Sequence, residues 1–260
     1  MGDLDMTISG KPGVARRRFC LLVAALFSLA AIPAAHAFKL VPIKMDFEPA
    51  GRGANQAFRL ENESTNTVAI QISMLTRRMD MDGKETNTSA DDDFIVYPPQ
   101  VLLKPKQVQT VRVKWVGDSK PEKELAYRIL AEQLPVNLEN EKQAGAQIKL
   151  LIRYLGSVYI VPKGAKADVV LESAVPRTDA QGQRQIELIF HNRGNAHMIL
   201  RDLRLTIQVG DKTVELEPEA LPNIAGENML AGGKRRFVVP WPAGLADGPL
   251  QVSFDFIKNS

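Results

Sequence analysis

Cysteine is almost absent from this sequence. The 260 residues include one cysteine, Cys20, and it lies in the apolar segment near the N-terminus. The rest of the chain therefore has no thiol and can form no disulfide. A chain without cross-links depends for its stability on the apolar cores that it can bury.

The sequence also lacks the short motifs of common enzyme and metal sites. It contains neither G-x-S-x-G nor H-E-x-x-H. Asp91–Asp93 lack the glycine and the spaced ligands of a calcium loop, which favours a solvated turn. His191 and His197 have no further ligand nearby and are predicted to be polar residues beside a turn. We therefore predict no enzymatic activity, no cofactor, no metal site and no small-molecule substrate.

Neither sign of charge dominates. The residues up to Ala37 hold four of the 33 basic and two of the 30 acidic residues, so the remainder has a net charge of about +1. A balance of this kind gives no support for nucleic-acid binding or for general attachment to anionic membranes.

The N-terminal segment has the features of an export signal. Arg16, Arg17 and Arg18 precede an apolar run that ends near Ala31, and Ala35-His36-Ala37 is a small-x-small cleavage site. The pattern predicts a secretory signal peptide over residues 1–37, cleaved before Phe38, and hence an exported protein. The A-R-R-R-F-C-L context leaves the twin-arginine route open beside the general one.

The remaining chain alternates between apolar and polar residues with a period of two, as β-strands do. Gln107–Trp115 shows this alternation well, and Pro42 interrupts Phe38–Phe47, which predicts an edge or a strand that changes sheet. No long helical period is present. Residues 162–166 (P-K-G-A-K) resemble a linker, after which the strand pattern restarts. We predict an all-β protein with two sandwich domains, 38–161 and 167–260.

The stretch from Gln147 to Pro162 is the most informative of these strands. One of its faces is wholly apolar, and the other mixes charged residues with leucine; the apolar face comprises Ile148, Leu150, Ile152 and Tyr154. A polar loop separates this stretch from an earlier strand, Tyr127–Pro135. An apolar strand face beside such a loop suits donation of the strand to another protein, although an ordinary core strand has the same pattern.

Several segments, taken in order, resemble a known family. They are F-K-L-V-P-I-K-M-D-F, V-Y-P-P-Q-V-L-L-K-P-K-Q-V-Q-T-V-R-V, A-Y-R-I-L-A-E-Q-L-P, the alternating strand ending in Y-I-V-P, and F-H-N-R-G-N-A-H-M. The chain resembles the PapD-like periplasmic chaperones of the chaperone–usher pilus pathway. This resemblance implies two immunoglobulin-like domains set at an angle with a cleft between them. It also implies donor-strand complementation, with pilus subunits and an outer-membrane usher as partners.

The resemblance also implies roles for individual residues. It places Ile148, Leu150 and Ile152 on the donor positions. In typical members two basic residues hold the subunit's C-terminal carboxylate, and these positions are Lys44 and Ser157 here. Since serine carries no charge, Arg153 is the first choice for the missing cation, with Arg128 and Lys149 as further choices.

The family's ion-pair network across the hinge is only partly matched. Glu124 and Asp247 correspond to its acidic members, but Val161 occupies the position of the basic partner, so a network of that form is not expected.

These features predict a periplasmic chaperone that binds, stabilises and delivers pilus or surface-fibre subunits. The alternative is an exported fibre subunit or adhesin. Such a subunit needs an alternating N-terminal extension ahead of one incomplete domain, and Phe38–Phe47 is too closely joined to its own domain for that role.

Overall fold

The computed structural model describes residues 38–135 and 151–257, and Ile148 and Leu150 lie outside these ranges. Within them the regular structure is almost entirely strand, and the helices are three single 3₁₀ turns at Arg52–Ala54, Asp91–Asp93 and Pro218–Ala220. No helix in the described ranges is long and apolar enough to cross a membrane.

Eleven strands of the first sandwich lie in the described ranges. They are β1 (Lys39–Val41), β2 (Lys44–Phe47), β3 (Asn55–Glu61), β4 (Val68–Thr76), β5 (Arg78–Met79), β6 (Glu85–Thr86), β7 (Phe94–Tyr97), β8 (Gln100–Leu103), β9 (Val108–Trp115), β10 (Leu125–Gln133) and β11 (Arg153–Ile160).

Two sheets face each other in this sandwich. One has the order β1-β3-β9-β7, the other has the order β2-β11-β10-β4-β8, and β5 and β6 form a separate hairpin. The chain changes sheet at Pro42, because β1 pairs with β3 whereas β2 runs parallel to β11. The sheet change expected from Pro42 is therefore confirmed.

The core of the first sandwich follows from the alternation of its strands. β4 buries every second residue, and β9 buries Val111, Val113 and Trp115 while the residues between them face solvent. Phe94 packs edge-on against the rings of Trp115 and Tyr127, with centroids 5.1 and 5.0 Å away. Each fully buried side chain of this size contributes roughly 1.5–3 kcal/mol.

Between residues 162 and 257 the second sandwich has eight strands. They are β12 (Val169–Thr178), β13 (Arg184–Asn192), β14 (Met198–Ile199), β15 (Arg201–Val209), β16 (Lys212–Leu216), β17 (Asn228–Met229), β18 (Lys234–Pro240) and β19 (Leu250–Ile257). Its sheets are β12-β13-β18 and β16-β15-β19, with β14 and β17 paired separately. A second core lies between them, built largely from alternate residues of β13 and β15. The predicted fold of two immunoglobulin-like sandwiches is confirmed.

A buried asparagine occupies the same place in each sandwich. The amide nitrogen of Asn62, at the end of β3, donates to the carbonyls of Asn66, Leu103 and Lys104. That of Asn192, at the end of β13, donates to the carbonyls of Ala196, Met229 and Leu230. Each asparagine also accepts a backbone N–H from the residue two positions later. The two halves thus share a hydrogen-bonding arrangement at one end of the sandwich, in which an asparagine satisfies several buried carbonyls.

Hydrogen bonds join the two sandwiches outside the 162–166 segment. The Arg236 amide on β18 donates to the Met81 carbonyl in the β5–β6 hairpin at 2.6 Å. The Glu124 amide donates to the Asn195 carbonyl at 2.9 Å. The Arg236 guanidinium also pairs with Asp82 at 3.1 Å. These contacts position the cleft described below.

Candidate functional site

A cleft of about 830 Å³ lies between the two sandwiches. The first sandwich contributes charged residues to its wall, and the second contributes residues around β14 and the start of β15. Those that matter for its chemistry are Lys44, Asp46, Glu124, Lys166, His197 and Arg201. Lys44, Lys166 and Arg201 carry positive charge beside the carboxylates of Asp46 and Glu124. These cations suit the binding of an anionic group.

Lys44 enters the cleft because β2 runs parallel to β11, in a register that places Lys44 opposite Ser157. Its ammonium nitrogen lies 3.3 Å from Nε2 of His197 and 3.6 Å from a carboxylate oxygen of Asp46. It also lies 5.4 Å from the centre of the Tyr159 ring. With 41% of its side chain exposed, Lys44 remains open to a ligand.

Ser157 is already engaged by an arginine. Its hydroxyl accepts a hydrogen bond of 2.6 Å from Nη1 of Arg128, which is its register partner on β10. Arg128 in turn makes two bonds, of 2.7 and 2.6 Å, to the carboxylate of Glu85. Arg77 donates to the same carboxylate at 2.9 Å.

The charge of Arg128 is therefore shared with Glu85 rather than free beside Ser157. Burial acts to raise the pKa of Glu85, but the hydrogen bond from Arg128 and the charges of Arg77 and Arg128 outweigh it, so this pKa is lowered.

Arg153 is the first residue of β11. It is four residues from Ser157, which is roughly 13 Å along a strand. Its guanidinium pairs with Glu132 on β10 at 3.2 Å, and 62% of its side chain is exposed. In the described part of the chain Arg153 is not among the residues that line the cleft. The structure therefore does not bring Arg153 to Lys44, because Arg153 begins β11 whereas Lys44 lies opposite Ser157, four residues further along the strand.

His197 has a role that the sequence analysis missed. Its side chain is 8% exposed, and Nδ1 lies 2.8 Å from both carboxylate oxygens of Glu124, which is 1% exposed. The imidazole stacks on the Tyr159 ring. The sequence identified Glu124 as an acidic residue of the hinge. Its partner is His197 of the second sandwich, whereas the family's basic partner would stand at the position of Val161.

The Tyr159 hydroxyl forms a further link between the sandwiches. Arg77 of the first and Asn228 of the second each donate to it at 2.7 Å. Asp247 takes no part in this group, because it pairs with Arg184 within the second sandwich.

The described end of the candidate donor segment faces the first core. Ile152 and Tyr154 are half-buried against that core, and Tyr154 meets the Phe38 ring edge-on at 5.1 Å. Leu151 and Leu155, on the opposite face, are 41% and 45% exposed.

β11 also has one open edge. β10 pairs with it from Arg153 to Ile160, whereas β2 pairs only from Ser157 onward. In the described ranges the stretch from Arg153 to Gly156 therefore has strand partners on one side only.

Comparison with known proteins supports the recognition made from the sequence. Residues 49–166 match the family of pili and flagellar-assembly chaperones, PapD N-terminal domain. This segment covers most of the first sandwich and the residues after it. The match covers 118 of the 260 residues, and over this segment the PapD-like chaperone domain recognised from the sequence is confirmed.

Solved structures show the same fold. One is the CsuC–CsuE chaperone–tip adhesion subunit pre-assembly complex from archaic chaperone–usher Csu pili of Acinetobacter baumannii. The match has 17% identity and a TM-score of 0.57, and covers 84% of this chain and 98% of that chain. Another is the class 5 fimbriae chaperone CfaA, with 16% identity, a TM-score of 0.51, and coverage of 85% and 99%. A comparison with curated proteins found no match.

Proposed function

We propose that this protein is a periplasmic chaperone that binds and stabilises subunits of a pilus or related surface fibre by donor-strand complementation. It then delivers them to an outer-membrane usher. The observation that carries the proposal is the open edge of β11 at Arg153–Gly156, which continues upstream into the alternating apolar stretch. A subunit that lacks its last strand exposes a groove and a bare edge, and a donated strand satisfies both.

Within this stretch we assign the donor side chains to Ile148 and Leu150. Ile152 and Tyr154 continue the same spacing of two residues, but both already pack against the first core. Ile152 is therefore at the boundary of the donated segment, and Tyr154 anchors β11 to its own sandwich.

Lys44 is the proposed contact for the subunit's C-terminal carboxylate. It lies where β2 and β11 run side by side, so a subunit strand paired with the edge of β11 would direct its end toward the cleft. A charge-assisted hydrogen bond in a partly desolvated site contributes on the order of 1.5–3 kcal/mol.

The rest of the assignment follows from the same role. Residues 1–37 act as the export signal, removed before Phe38. Residues 38–161 and 167–260 form the two domains, joined by residues 162–166. The protein acts by binding and needs no cofactor. The alternative of a fibre subunit is not favoured, because the matched family is one of assembly chaperones.

Co-expression with a candidate subunit tests the donor strand. The Ile148→Asp/Leu150→Asp variant should lose the one-to-one complex, since each lost apolar contact costs roughly 1.5–3 kcal/mol and buried carboxylates add to this. The matched control, Leu151→Asp/Leu155→Asp, changes the opposite, exposed face. It should leave subunit recovery nearly unchanged.

Thermal unfolding of both variants separates loss of binding from loss of folding. Unchanged subunit recovery with folded Ile148→Asp/Leu150→Asp protein would refute donor-strand complementation. Loss confined to the control pair would assign donation to the Leu151 face instead.

A further inference from the structure

We propose that His197 is the second group that binds the subunit carboxylate, and that binding there takes up one proton at Nε2 of its ring. The inference rests on the proposed function and assigns the group that replaces the missing cation at Ser157. Its basis is the position of His197 Nε2, 3.3 Å from the Lys44 ammonium in the wall of the cleft.

The other ring nitrogen determines the tautomer. Nδ1 lies 2.8 Å from both oxygens of Glu124, and an ionised carboxylate can only accept hydrogen bonds. Nδ1 therefore carries a hydrogen. In the neutral ring Nε2 is then an acceptor, and the Lys44 ammonium donates to it.

An incoming carboxylate changes this arrangement. Lys44 can redirect a proton of its ammonium toward the new anion, but a neutral Nε2 and a carboxylate oxygen are both acceptors and repel each other. A proton from solvent on Nε2 turns this contact into a charge-assisted hydrogen bond. The imidazolium then donates from Nδ1 to Glu124 and from Nε2 to the subunit.

The groups around His197 are compatible with this added charge. Glu124 lies on one side, Lys44 with its neighbour Asp46 on another, and the Tyr159 ring covers one face. The ligand carboxylate and Glu124 offset the two cations that the bound state brings together.

Other residues do not fit the role as well. Ser157 has its hydroxyl bonded to Arg128, and the Arg128 charge is shared with Glu85. Arg201 and Lys166 line the cleft, but neither makes a side-chain contact with Lys44 among the described residues. His197 is the cleft group that one carboxylate can bridge together with Lys44.

Proton uptake can be measured on the unmodified chaperone. The probe is a purified subunit, whole or lacking its last few residues, titrated calorimetrically in two buffers of different ionisation enthalpy. The whole subunit should take up about one proton more than the truncated one. Its affinity advantage should grow as the pH is lowered, by at most tenfold for each pH unit, because one proton is taken up together with the carboxylate.

Variants locate the proton. His197→Gln should abolish the excess uptake and the pH dependence of the advantage, because an amide does not titrate. His191→Gln is the matched control: His191 lies beside Glu172 on the second sandwich and should leave both unchanged. Arg201→Gln should lower affinity at most uniformly across pH.

Equal uptake for the two subunits, or excess uptake that persists in His197→Gln, overturns the inference while the chaperone function stands. Should the whole subunit fail to bind at any pH, the proposed function fails as well. The proton count on the unmodified protein decides the matter even if His197→Gln does not fold.

Discussion

The ring of Tyr159 lies flat on the imidazole of His197, with the two centroids 3.9 Å apart and the planes 6° from parallel. Tyr159 belongs to β11 of the first sandwich, and His197 precedes β14 of the second. The strand proposed to hold the subunit is therefore tied at its C-terminal end to the second sandwich. This contact places β11 and the cleft in a defined relation, so that an edge-bound subunit and a cleft-bound carboxylate can be parts of one site.

The Tyr159 hydroxyl should contribute to stability. Tyr159→Phe removes an acceptor shared by Arg77 and Asn228 and leaves two donors without this partner. We expect the free energy of unfolding to fall by about 2 kcal/mol, measured by urea denaturation. Tyr97→Phe changes a ring that is well exposed and should have an effect within about 0.5 kcal/mol. Equal stability of Tyr159→Phe and the native protein would show that these hydrogen bonds contribute nothing.

Glu85 should make stability depend on pH in the acid range. Because its folded-state pKa is lowered, its contribution is present above the ordinary carboxyl range near pH 4.3 and is lost as the pH falls through the lowered value. Glu85→Gln leaves Arg77 and Arg128 without their shared anion and should cost about 3 kcal/mol at pH 7.

Denaturation at pH 7 and pH 3 checks this behaviour. The difference in free energy of unfolding between Glu85→Gln and the native protein should become smaller as the pH falls. Glu217→Gln breaks an exposed pair with Arg204 and should cost less than about 1 kcal/mol at either pH. A difference in free energy of unfolding that does not change with pH would contradict the assigned role of Glu85.

The two buried asparagines should be equivalent in effect. Asn62→Ala and Asn192→Ala each leave several backbone carbonyls at one end of a sandwich without their hydrogen-bond donor. We expect each to lower the free energy of unfolding by about 3 kcal/mol. Asn87→Ala, at an exposed position, should be nearly neutral. A marked difference between the two buried sites would show that the shared geometry does not carry a shared energetic role.

Lys44 can be tested by its charge and by its shape. Lys44→Ala should weaken subunit binding tenfold to a hundredfold, which corresponds to roughly 1.5–3 kcal/mol. Lys44→Arg should retain or improve binding, because a guanidinium can hold a carboxylate with two hydrogen bonds. Lys39→Ala removes an exposed lysine that pairs with Glu63 and serves as the control. If the native protein bound whole and truncated subunits equally, Lys44 would not be a carboxylate contact.

Much of the fold was accessible from local pattern. The alternation in Gln107–Trp115 predicted a half-buried strand, and β9 has that character because side chains of a strand point to its two faces in turn. Pro42 predicted a sheet edge or a change of sheet, because proline cannot donate a ladder hydrogen bond. The ordered motifs led to the chaperone family, which the comparisons support.

The candidate site was predicted only in part. Lys44 and Glu124 were identified through the resemblance, and both line the cleft. The choice of Arg153 for the second charge did not anticipate that β11 places it near Glu132, far from Lys44. His197 carried no signal as a site residue, because its partner Glu124 is 73 positions away and belongs to the other sandwich.

The sequence by itself determined which residues share a strand face, that the chain forms two sandwiches and that no cysteine cross-links them. Tertiary structure decided which of those faces meets a core, as Ile152 and Tyr154 show by packing inward. It also decided which charges meet, as in the pairing of Glu124 with His197 and of Glu85 with two arginines. The reason is physical: strand periodicity is set by the backbone and can be read locally, whereas ion pairs need side chains within about 4 Å. That proximity depends on sheet register and on how the two sandwiches dock.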